Sequence, residues 1–511
     1  MANENNELDI LFIHTPKFND RLQPLGEMTF INIIPSGVFA LADFLEKNGV
    51  RAGILHSGVE WILRGRFDPV EYIEKHRPRV VAFSLHWHHQ SYDVIEIAQK
   101  IRERFPDIVI ILGGLTASYF AGEILREYPF IDYIISGDSE IPLLDLMGHI
   151  LKGEGSISGI PNLYRREENK VIPPVSRYIT SPDLFNSLVY HNYDLLIDGD
   201  FYRLHMGIPA IWAKGRDFDF QKRELDPITN VYFPVTGKGC LHICTWCGKE
   251  KRHSSLRREP SVVASAIKKA EEKGFGSLYF AHNTCPGSDD YYIEVFERLR
   301  KLNVNMFAYF ESWVLPSERF IKDFARTFQD GVIALSPDAG AEDLRRLNKG
   351  LFYSNKRFFE TMDLLEKYNV ETDIFLSFGM PGENEDKFRE TRRFIEKCRK
   401  NYNNVGEICL FGLELEPGSP WFDDPEKYGI ITGRKKFADF YKAHAPGGRG
   451  SFASSGYYIP GYFHDEKKCR DVDSFERAMG ELKSGIGWFE DERHLTTEDT
   501  EDTEFKNEKQ T

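Results

Sequence analysis

The chain has 511 residues, of which 41% are hydrophobic, and it carries a formal net charge of −14 at pH 7. This length exceeds one ordinary hydrophobic core, so two or three domains are expected. The acidic balance argues against a nucleic-acid partner, which usually needs a basic face. The N-terminal stretch is polar, so no signal peptide is expected. The apolar runs all fall short of the ~18 residues of a membrane span, so no transmembrane segment is expected.

The seven cysteines are unevenly distributed along the sequence. Three of them fall within residues 240–247, and the other four are scattered over residues 285–469. An odd number in this arrangement does not fit a disulfide framework. We therefore expect a reduced protein of the cytoplasm.

Residues 1–150 are predicted to form a doubly wound, Rossmann-like parallel sheet of the α/β class. Short β-branched runs alternate with amphipathic helices that place apolar residues at i, i+3, i+4 and i+7. Five such repeats with continuously apolar strands favour a parallel sheet that is covered by helices on both faces. The strands are predicted at 9–15, 51–57, 79–85, 108–114 and 132–137.

Ligands of such sheets bind at the carboxyl ends of the strands. Here those ends carry Ser84, Gly113, Gly114 and Gly137. On these features alone, the domain could be a response regulator, a nucleotide binder or a packing module. A dinucleotide site is not favoured, because G-x-G-x-x-G follows neither the first nor the second strand.

Residues 151–230 are less regular and are predicted to be a connector. Residues 231–430 show a second β/α series with six strands, which predicts a partial (βα)₆ barrel of the TIM type. The chemistry of such barrels gathers at the carboxyl ends of the strands. The six strands are predicted at 231–237, 277–283, 304–312, 331–337, 371–379 and 407–416.

The pattern weakens beyond the barrel. Residues 431–490 are predicted to form a small C-terminal capping region, and the aromatic stretch 456–463 could cover an active site. Residues 491–511 are acidic and polar, which is typical of a disordered tail. Substrate contacts are expected from this aromatic stretch and from residues 201–214.

Cys240, Cys244 and Cys247 follow the spacing C-x₃-C-x₂-C, directly after the first predicted barrel strand. One alternative is a zinc site with His242 or His253 as fourth ligand. However, a zinc knuckle rarely follows a buried parallel strand directly, and it would leave the barrel unexplained. The other interpretation is a [4Fe–4S] cluster with three protein thiolates, which leaves one iron open to a small molecule.

The cysteine loop, with Trp246 directly before its last cysteine, closely resembles that of the radical SAM superfamily. Three further segments are similar to motifs of that family, namely 336–350, 378–386 and 415–430. The resemblance implies that the open iron binds the amino and carboxylate groups of S-adenosylmethionine. Electron transfer from the reduced cluster, supplied by a donor such as flavodoxin or ferredoxin, would then release a 5′-deoxyadenosyl radical.

The resemblance also assigns residues to the S-adenosylmethionine site. Two positions depart from the family: Asp338 stands in place of a glutamate and Ala339 in place of a serine, so the ribose contacts are expected to be rearranged. The segment 281–288 also departs from the usual acidic pattern, and its Cys285 is expected to be inert, with a substrate-side or auxiliary role as the alternative. The residues assigned to S-adenosylmethionine are Trp246, Ser336, Asp338, Ser377 and Glu416.

Segments 80–101 and 110–146 resemble the cobalamin-binding domain that precedes many radical SAM barrels. Glycines at a strand end allow the backbone to lie close to a flat dimethylbenzimidazole tail, and short serine hydroxyls offer contacts to it. Asp138 replaces the first glutamate of the family's last motif, whereas Glu140 keeps the second. The residues assigned to cobalamin are Ser84, His86, Gly113, Gly114, Ser118, Gly137 and Glu140.

The motif D-x-H-x-x-G, which places a histidine on cobalt, is absent from the sequence. The cobalamin is therefore expected to bind with its benzimidazole displaced and without that histidine ligand. His86, His88 and His89 follow Ser84 closely, and three histidines in four positions can form a metal site. The sequence shows no second ligand cluster, so hydrogen bonding to the cofactor and ordinary exposure are expected, with a cobalt contact or a structural role under the corrin as the alternative.

The resemblance implies a cobalamin-dependent radical SAM methyltransferase that acts on an unactivated carbon of a small-molecule, lipid or peptide substrate. Within enzymes, the alternative is a rearrangement or cyclisation enzyme of the same architecture. The alternative of another class is a non-catalytic cobalamin sensor, against which the intact cysteine triad argues.

Overall fold

The computed structural model describes residues 7–16, 33–205, 231–240, 242–248, 256–281 and 289–446. Within these residues, none of the helices is long and apolar enough to cross a membrane. Several sequence predictions concern residues outside the described ranges: His253, Cys285, and segments 206–214, 456–463 and 491–511.

The first sheet contains seven strands, which are Ile10–His14 (β1), Ala52–His56 (β2), Val80–Ser84 (β3), Val109–Gly113 (β4), Tyr133–Ile135 (β5), Leu163–Glu167 (β6) and Lys170–Ile172 (β7). Their spatial order is β2-β1-β3-β4-β5-β6-β7, and β1 to β5 are parallel. The order 2-1-3-4-5 is flavodoxin-like, with its topological switch between β1 and β3. The predicted doubly wound domain is confirmed.

The helices of this part cover both faces of the sheet. Their apolar stripes pack on the continuously apolar strands, which gives one core on each face. The helices are Ser36–Lys47 (α1), Ser57–Arg64 (α2), Pro69–His76 (α3), Ser91–Arg104 (α4), Leu115–Tyr119 (α5), Ala121–Glu127 (α6), Glu140–Lys152 (α7), Pro182–Ser187 (α8) and Gly199–His205 (α9).

The first sheet continues past residue 150, into the predicted connector. β6 pairs antiparallel with β5, and β7 pairs antiparallel with β6. On the other side of the sheet, Leu196 forms a parallel bridge with Ile54 of β2. Part of the connector therefore covers strand edges that would otherwise expose unpaired backbone groups, a long-range role that local sequence patterns do not reveal.

The second sheet contains six parallel strands, which are Val231–Tyr232 (β8), Ser277–Phe280 (β11), Phe307–Ser312 (β12), Val332–Asp338 (β13), Glu371–Phe378 (β14) and Val405–Gly412 (β15). They lie in the order β15-β14-β13-β12-β11-β8, with neighbours parallel throughout. This confirms the predicted partial barrel.

The first barrel strand is shorter than predicted. The expected strand 231–237 ends at Tyr232, and Gly237–Lys238 (β9) instead pairs antiparallel with Leu256–Arg257 (β10) in a separate hairpin. Pro234 lies between the two, and a proline cannot donate a hydrogen bond to a strand ladder. The cysteine loop therefore starts from this hairpin and not directly from a barrel strand.

Five helices of the second part supply the outer wall of the aromatic-rich barrel core, namely Pro260–Glu272 (α10), Asp289–Lys301 (α11), Glu318–Thr327 (α12), Asn355–Lys367 (α14) and Glu385–Asn401 (α15). Three further helices, Glu342–Asn348 (α13), Pro420–Asp423 (α16) and Phe437–His444 (α17), contribute to other clusters.

The last helix, α17, packs on the first domain. Phe437 and Phe440 are fully buried and contact Phe120 with ring centroids 5.8 Å away in each case. Tyr441 donates a hydrogen bond of 2.6 Å to Glu96 on α4. The described part of the predicted capping region thus ties the end of the barrel back to the first sheet.

Gly114 lies in the tight turn between β4 and α5. Its φ is +103°, and a Cβ atom at this position would lie 2.6 Å from the carbonyl oxygen of Leu85. Gly113, one residue earlier, is different, because the nearest atom to a Cβ there is the Ile135 carbonyl oxygen at 3.9 Å. Of these two glycines, only Gly114 is therefore required by its backbone conformation and by a close approach.

We expect Gly114→Ala to lower the free energy of unfolding by about 2 kcal/mol or more, because it combines a strained φ with a backbone clash. The matched control Gly113→Ala should change it by less than about 1 kcal/mol. Denaturant unfolding of both variants measures the difference. Equal effects of the two substitutions would contradict the turn geometry.

Candidate active site

The loop that carries Cys240, Cys244 and Cys247 presents three half-buried thiols, each outside any disulfide. Two other segments anchor it at Thr245. The Thr245 N–H donates to the carbonyl oxygen of Asn348 over 2.9 Å, and the Trp421 N–H donates to the carbonyl oxygen of Thr245 over 3.2 Å. The loop is therefore fixed against the end of α13 and against α16, which follows β15.

Close backbone contacts surround the cysteine loop. A Cβ atom on Gly350 would clash with the backbone nitrogen of Ile243, so only glycine fits there. The Gly350 N–H donates to Cys244 Sγ over 3.3 Å, and the Gly248 N–H donates to Glu416 Oε2 over 2.9 Å. Glu416, assigned to cofactor binding by sequence, thus also holds the loop.

A buried ion pair lies beside Cys244. Lys349 Nζ contacts Asp338, whose φ of +60° places it in the left-handed region. Burial alone would lower the pKa of Lys349, but Asp338, together with Tyr353 and Cys244, outweighs it and the pKa is raised. Burial also raises the pKa of the Cys244 thiol, while Lys349 and the Gly350 N–H act in the opposite direction. A positive charge is therefore available where a thiolate would form.

The other residues assigned to S-adenosylmethionine lie at the same end of the barrel. Ser336 and Asp338 end β13, and Ser377 lies at the carboxyl end of β14. Trp246 packs beside Trp421, with ring centroids 6.1 Å apart. The fold brings these residues to the edge where the cysteine loop is anchored; their contacts to a cofactor stay a prediction.

His242, the fourth ligand of the zinc alternative, is buried in the cysteine loop. Burial, and then the charge of Lys349, lower its pKa. Its ring faces Trp313, with centroids 6.3 Å apart. The other proposed fourth ligand, His253, lies outside the described residues.

The residues assigned to cobalamin gather at the carboxyl ends of β3, β4 and β5. The Leu85 N–H donates to the carbonyl oxygen of Gly113 over 2.8 Å, which joins the ends of β3 and β4. The Gly137 N–H donates to Ser118 Oγ over 3.1 Å, which joins α5 to the end of β5. Ser84 and His86 are half-buried at this edge.

Glu140 has a different surrounding from the other assigned residues. It is buried, accepts a hydrogen bond of 2.8 Å from Thr180 Oγ1, and lies 3.5 Å from Lys238 Nζ. The same Lys238 Nζ lies 2.7 Å from Asp138 Oδ1. Because Lys238 is two residues before Cys240, these carboxylates join the first sheet to the cysteine loop, and a contact of Glu140 to a cofactor stays a prediction.

The three histidines after β3 are not alike. His86 is half-buried, but His88 and His89 are only 4% and 5% exposed. The exposure expected from the sequence is therefore wrong for His88 and His89, because α17 and the segment after β15 cover them. Of the three, His86 keeps access to the sheet edge, and its ring meets Trp87 edge-on at 4.6 Å.

Gln90, which carries no signal in the local sequence, fixes this loop. Its Oε1 accepts hydrogen bonds of 3.1 Å from the backbone N–H groups of both His86 and Trp87. Its Nε2 donates to the carbonyl oxygen of Thr15, just after β1, over 2.7 Å. A buried glutamine thus joins the two strands at the topological switch, a role that only long-range contacts reveal.

Glu383 lies in the turn after β14, within the motif-like segment 378–386, and the sequence assigned no role to it. Its Oε2 accepts a hydrogen bond of 2.6 Å from the Gly379 N–H. Burial raises the pKa of this carboxyl to about 7, although N–H groups of Gly379 and Met380 act in the opposite direction. The side chain holds the turn that leads from β14 to α15.

Family comparison assigns two domains to the chain. Residues 31–147 match the B12 binding domain, and residues 235–395 match the radical SAM superfamily. Both resemblances drawn from the sequence are therefore confirmed.

Curated relatives match parts of the chain. It is 25% identical over 364 residues to the anaerobic magnesium-protoporphyrin IX monomethyl ester cyclase of Rubrivivax gelatinosus. The matched stretch covers 66% of this chain and 58% of that protein. It is 26% identical over 135 residues to the hopanoid C-3 methylase of Methylococcus capsulatus, covering 26% and 25%. The chain thus matches less than two thirds of the length of either relative.

Among solved structures, the radical S-adenosylmethionine methyltransferase TsrM from Kitasatospora setae, with cobalamin and a [4Fe–4S] cluster bound, has a TM-score of 0.63 at 18% identity. The superposition covers 93% of this chain and 88% of that one. Another structure of TsrM holds its tryptophan substrate and an analogue of S-adenosylmethionine. At this identity the likeness establishes a shared fold.

The residues present fit the groups that these families imply. Three half-buried thiols on one anchored loop offer the soft donors that iron–sulfur clusters need. At the first sheet, Gly113 adds no side chain at a strand end and Ser84 adds a half-buried hydroxyl. The thiols therefore suit a cluster, and a strand end with such small residues suits a flat cofactor.

The Glu383 carboxyl should make stability depend on pH. Its pKa is about 7 in the folded protein, against 4.5 for an unperturbed glutamate, so the stabilising contribution is full below about pH 4.5 and is lost as pH rises to 7. Over that range we expect the unfolding free energy of the wild type to fall by about 3 kcal/mol relative to Glu383→Gln.

The matched control is Glu385→Gln, two residues later, where the side chain is exposed. Denaturant unfolding at several pH values gives the comparison. If the difference between wild type and Glu383→Gln does not change between pH 4.5 and 7, the buried carboxyl does not carry the assigned proton.

Proposed function

We propose that the chain, whose two domains match the B12 binding domain and the radical SAM superfamily, is a methyltransferase that transfers a methyl group by way of cobalamin to an unactivated carbon. The observation that carries this proposal is the direct contact between the two domains at their functional edges. A reaction that uses both cofactors on one substrate needs them held close together.

Two contacts support this proximity. Lys238, which leads into the cysteine loop, pairs with Asp138 after β5 over 2.7 Å. Tyr119 of α5 donates a hydrogen bond of 2.7 Å to Asp423 of α16, after the last barrel strand. Residues that follow β4 and β5 therefore contact β9 and the segment after β15.

The proposed cofactors are a [4Fe–4S] cluster, S-adenosylmethionine and cobalamin. When bound, they supply hydrogen-atom abstraction and a transferable methyl group. The chain's residues bind and orient them: the three thiols ligate iron, and the charge of Lys349 offsets that of the Cys244 thiolate. Residues proposed for S-adenosylmethionine are Trp246, Ser336, Asp338, Ser377 and Glu416, and those for cobalamin are Ser84, His86, Gly113, Gly114, Ser118, Gly137 and Glu140.

The proposed substrate is a small molecule, and a lipid or peptide is a wider alternative. The tryptophan bound to TsrM and the hopanoid named for the methylase support this range. An external one-electron donor such as flavodoxin or ferredoxin is proposed to reduce the cluster. A cytoplasmic location is part of the same proposal, because such clusters and reduced thiols need a reducing compartment.

A second candidate function is radical cyclisation or rearrangement. It is favoured by the likeness to the anaerobic cyclase of Rubrivivax gelatinosus, which extends over 66% of this chain. The two functions differ in their products, since only methyl transfer leaves S-adenosylhomocysteine.

Turnover with the true substrate is expected to form S-adenosylhomocysteine and 5′-deoxyadenosine in near-equal amounts. Cys244→Ala should abolish 5′-deoxyadenosine, because the cluster then lacks one of its three thiolates. Cys398→Ala, a buried cysteine on α15, is the control and should keep both products. Chromatography with mass detection measures them. A wild-type enzyme that forms only 5′-deoxyadenosine and an unmethylated product would exclude the methyltransferase and favour the second candidate.

The full-length chain should bind cobalamin in the base-off form, without a histidine on cobalt. His86 is the one histidine of its loop that keeps access to the sheet edge, so His86→Ala tests this directly. The expected visible spectrum of bound cobalamin is the same for this variant and the wild type. A change from a ligated to an unligated spectrum in His86→Ala would instead identify His86 as a cobalt ligand.

A further inference from the structure

A cluster of buried histidines lies apart from the cysteine loop, where the first domain meets the end of the barrel. It contains His88 and His89 from the loop after β3, and His444 from α17. Glu414, just after β15, completes it. These four residues are named here the histidine cluster, and we propose that its three histidines bind one divalent transition-metal ion of the zinc class, with Glu414 as a carboxylate that contacts two of them.

The distances between potential ligand atoms fit such an ion. His88 Nδ1 lies 3.0 Å from His444 Nε2, and His89 Nε2 lies 2.7 Å from Glu414 Oε2. One ring nitrogen from each of the three histidines can be chosen so that all lie within 4.8 Å of one another. In a tetrahedral zinc site with bonds of about 2.0–2.1 Å, neighbouring ligand atoms are about 3.3 Å apart.

The cluster is enclosed by protein. His88, His89 and His444 are 4%, 5% and 3% exposed. The rings of His88 and His89 stack at 3.9 Å, and the ring of His444 lies 5.2 Å and 5.0 Å from them. Three buried imidazoles in one place are costly as separate cations but are suitable ligands in the neutral form.

A carboxylate lies beside these histidines. Glu414 Oε2 lies 3.5 Å from His88 Nε2, so it contacts both histidines of the loop. Arg434, buried over the ring of Phe440, interacts electrostatically with Glu414. Imidazole is a donor that suits zinc, and histidine ligands of zinc commonly contact a carboxylate with their other ring nitrogen.

The position of the cluster indicates what the ion does. Glu414 and His444 come from the segment after β15 and from the last described helix, which are 325 and 356 residues away in sequence from the loop histidines they contact. An ion would therefore join the first sheet to both the barrel and α17. It would also hold in place the loop that carries His86, which Gln90 already fixes through its hydrogen bonds to the backbone.

The first test measures zinc in the full-length chain with Cys240, Cys244 and Cys247 all replaced by Ala, which removes the thiolates as competing ligands. After equilibration with zinc and removal of the excess, we expect about one zinc per chain. X-ray absorption should show a nitrogen and oxygen shell at about 2.0–2.1 Å with imidazole scattering and no sulfur near 2.3 Å. No retained zinc, or a shell without imidazole, would overturn the proposal.

The second test assigns the ligands in the same background. His444→Ala should lose bound zinc and Glu414→Gln should bind it more weakly, whereas His149→Ala, at the end of α7, should keep it. Added zinc should raise the melting temperature of the unaltered cluster but not that of His444→Ala, because binding stabilises only the state that binds. Zinc retained equally by all three variants would contradict the assignment. If His444→Ala does not fold, Glu414→Gln and the absorption spectrum still decide.

Discussion

The ion pairs of Lys238 are the contacts on which the arrangement of the two domains depends. Its ammonium group lies 2.7 Å from Asp138 and 3.5 Å from Glu140, and both carboxylates are buried. Loss of one partner of a buried ion pair is destabilising, commonly by about 3–5 kcal/mol, and the hydrogen bonds that Thr180 donates to both carboxylates reduce that cost here. The cysteine loop, which begins two residues after Lys238, is therefore held against the first sheet by these ion pairs.

Local sequence patterns are sufficient for the fold class and for the cysteine loop. Continuous apolar strands and 3.6-residue helical periods predict both parallel sheets, because burial on two faces imposes these patterns directly. The spacing of Cys240, Cys244 and Cys247 indicates a three-thiolate site for a similar reason, since all the ligands lie on one short loop. Features of this kind depend on neighbours in sequence.

Features that depend on distant residues cannot be predicted in this way. Gln90 acquires its role from the carbonyl oxygen of Thr15, and Glu383 acquires its raised pKa from burial in a turn. The sequence predicts exposure for His88, but helix α17, which lies more than 350 residues later in the sequence, covers it. The proposed metal site depends in the same way on His444, which lies 356 residues after His88 in the sequence.

The central claim is that the B12-binding and radical SAM domains hold their cofactors close enough to act on one substrate. Electron paramagnetic resonance on the full-length enzyme, with the cluster reduced and cobalamin in the paramagnetic cob(II)alamin form, tests this most directly. We expect the two spins to interact, with split or broadened signals that become simple again when Cys244→Ala removes the cluster. Two independent signals in the wild type would contradict the claim.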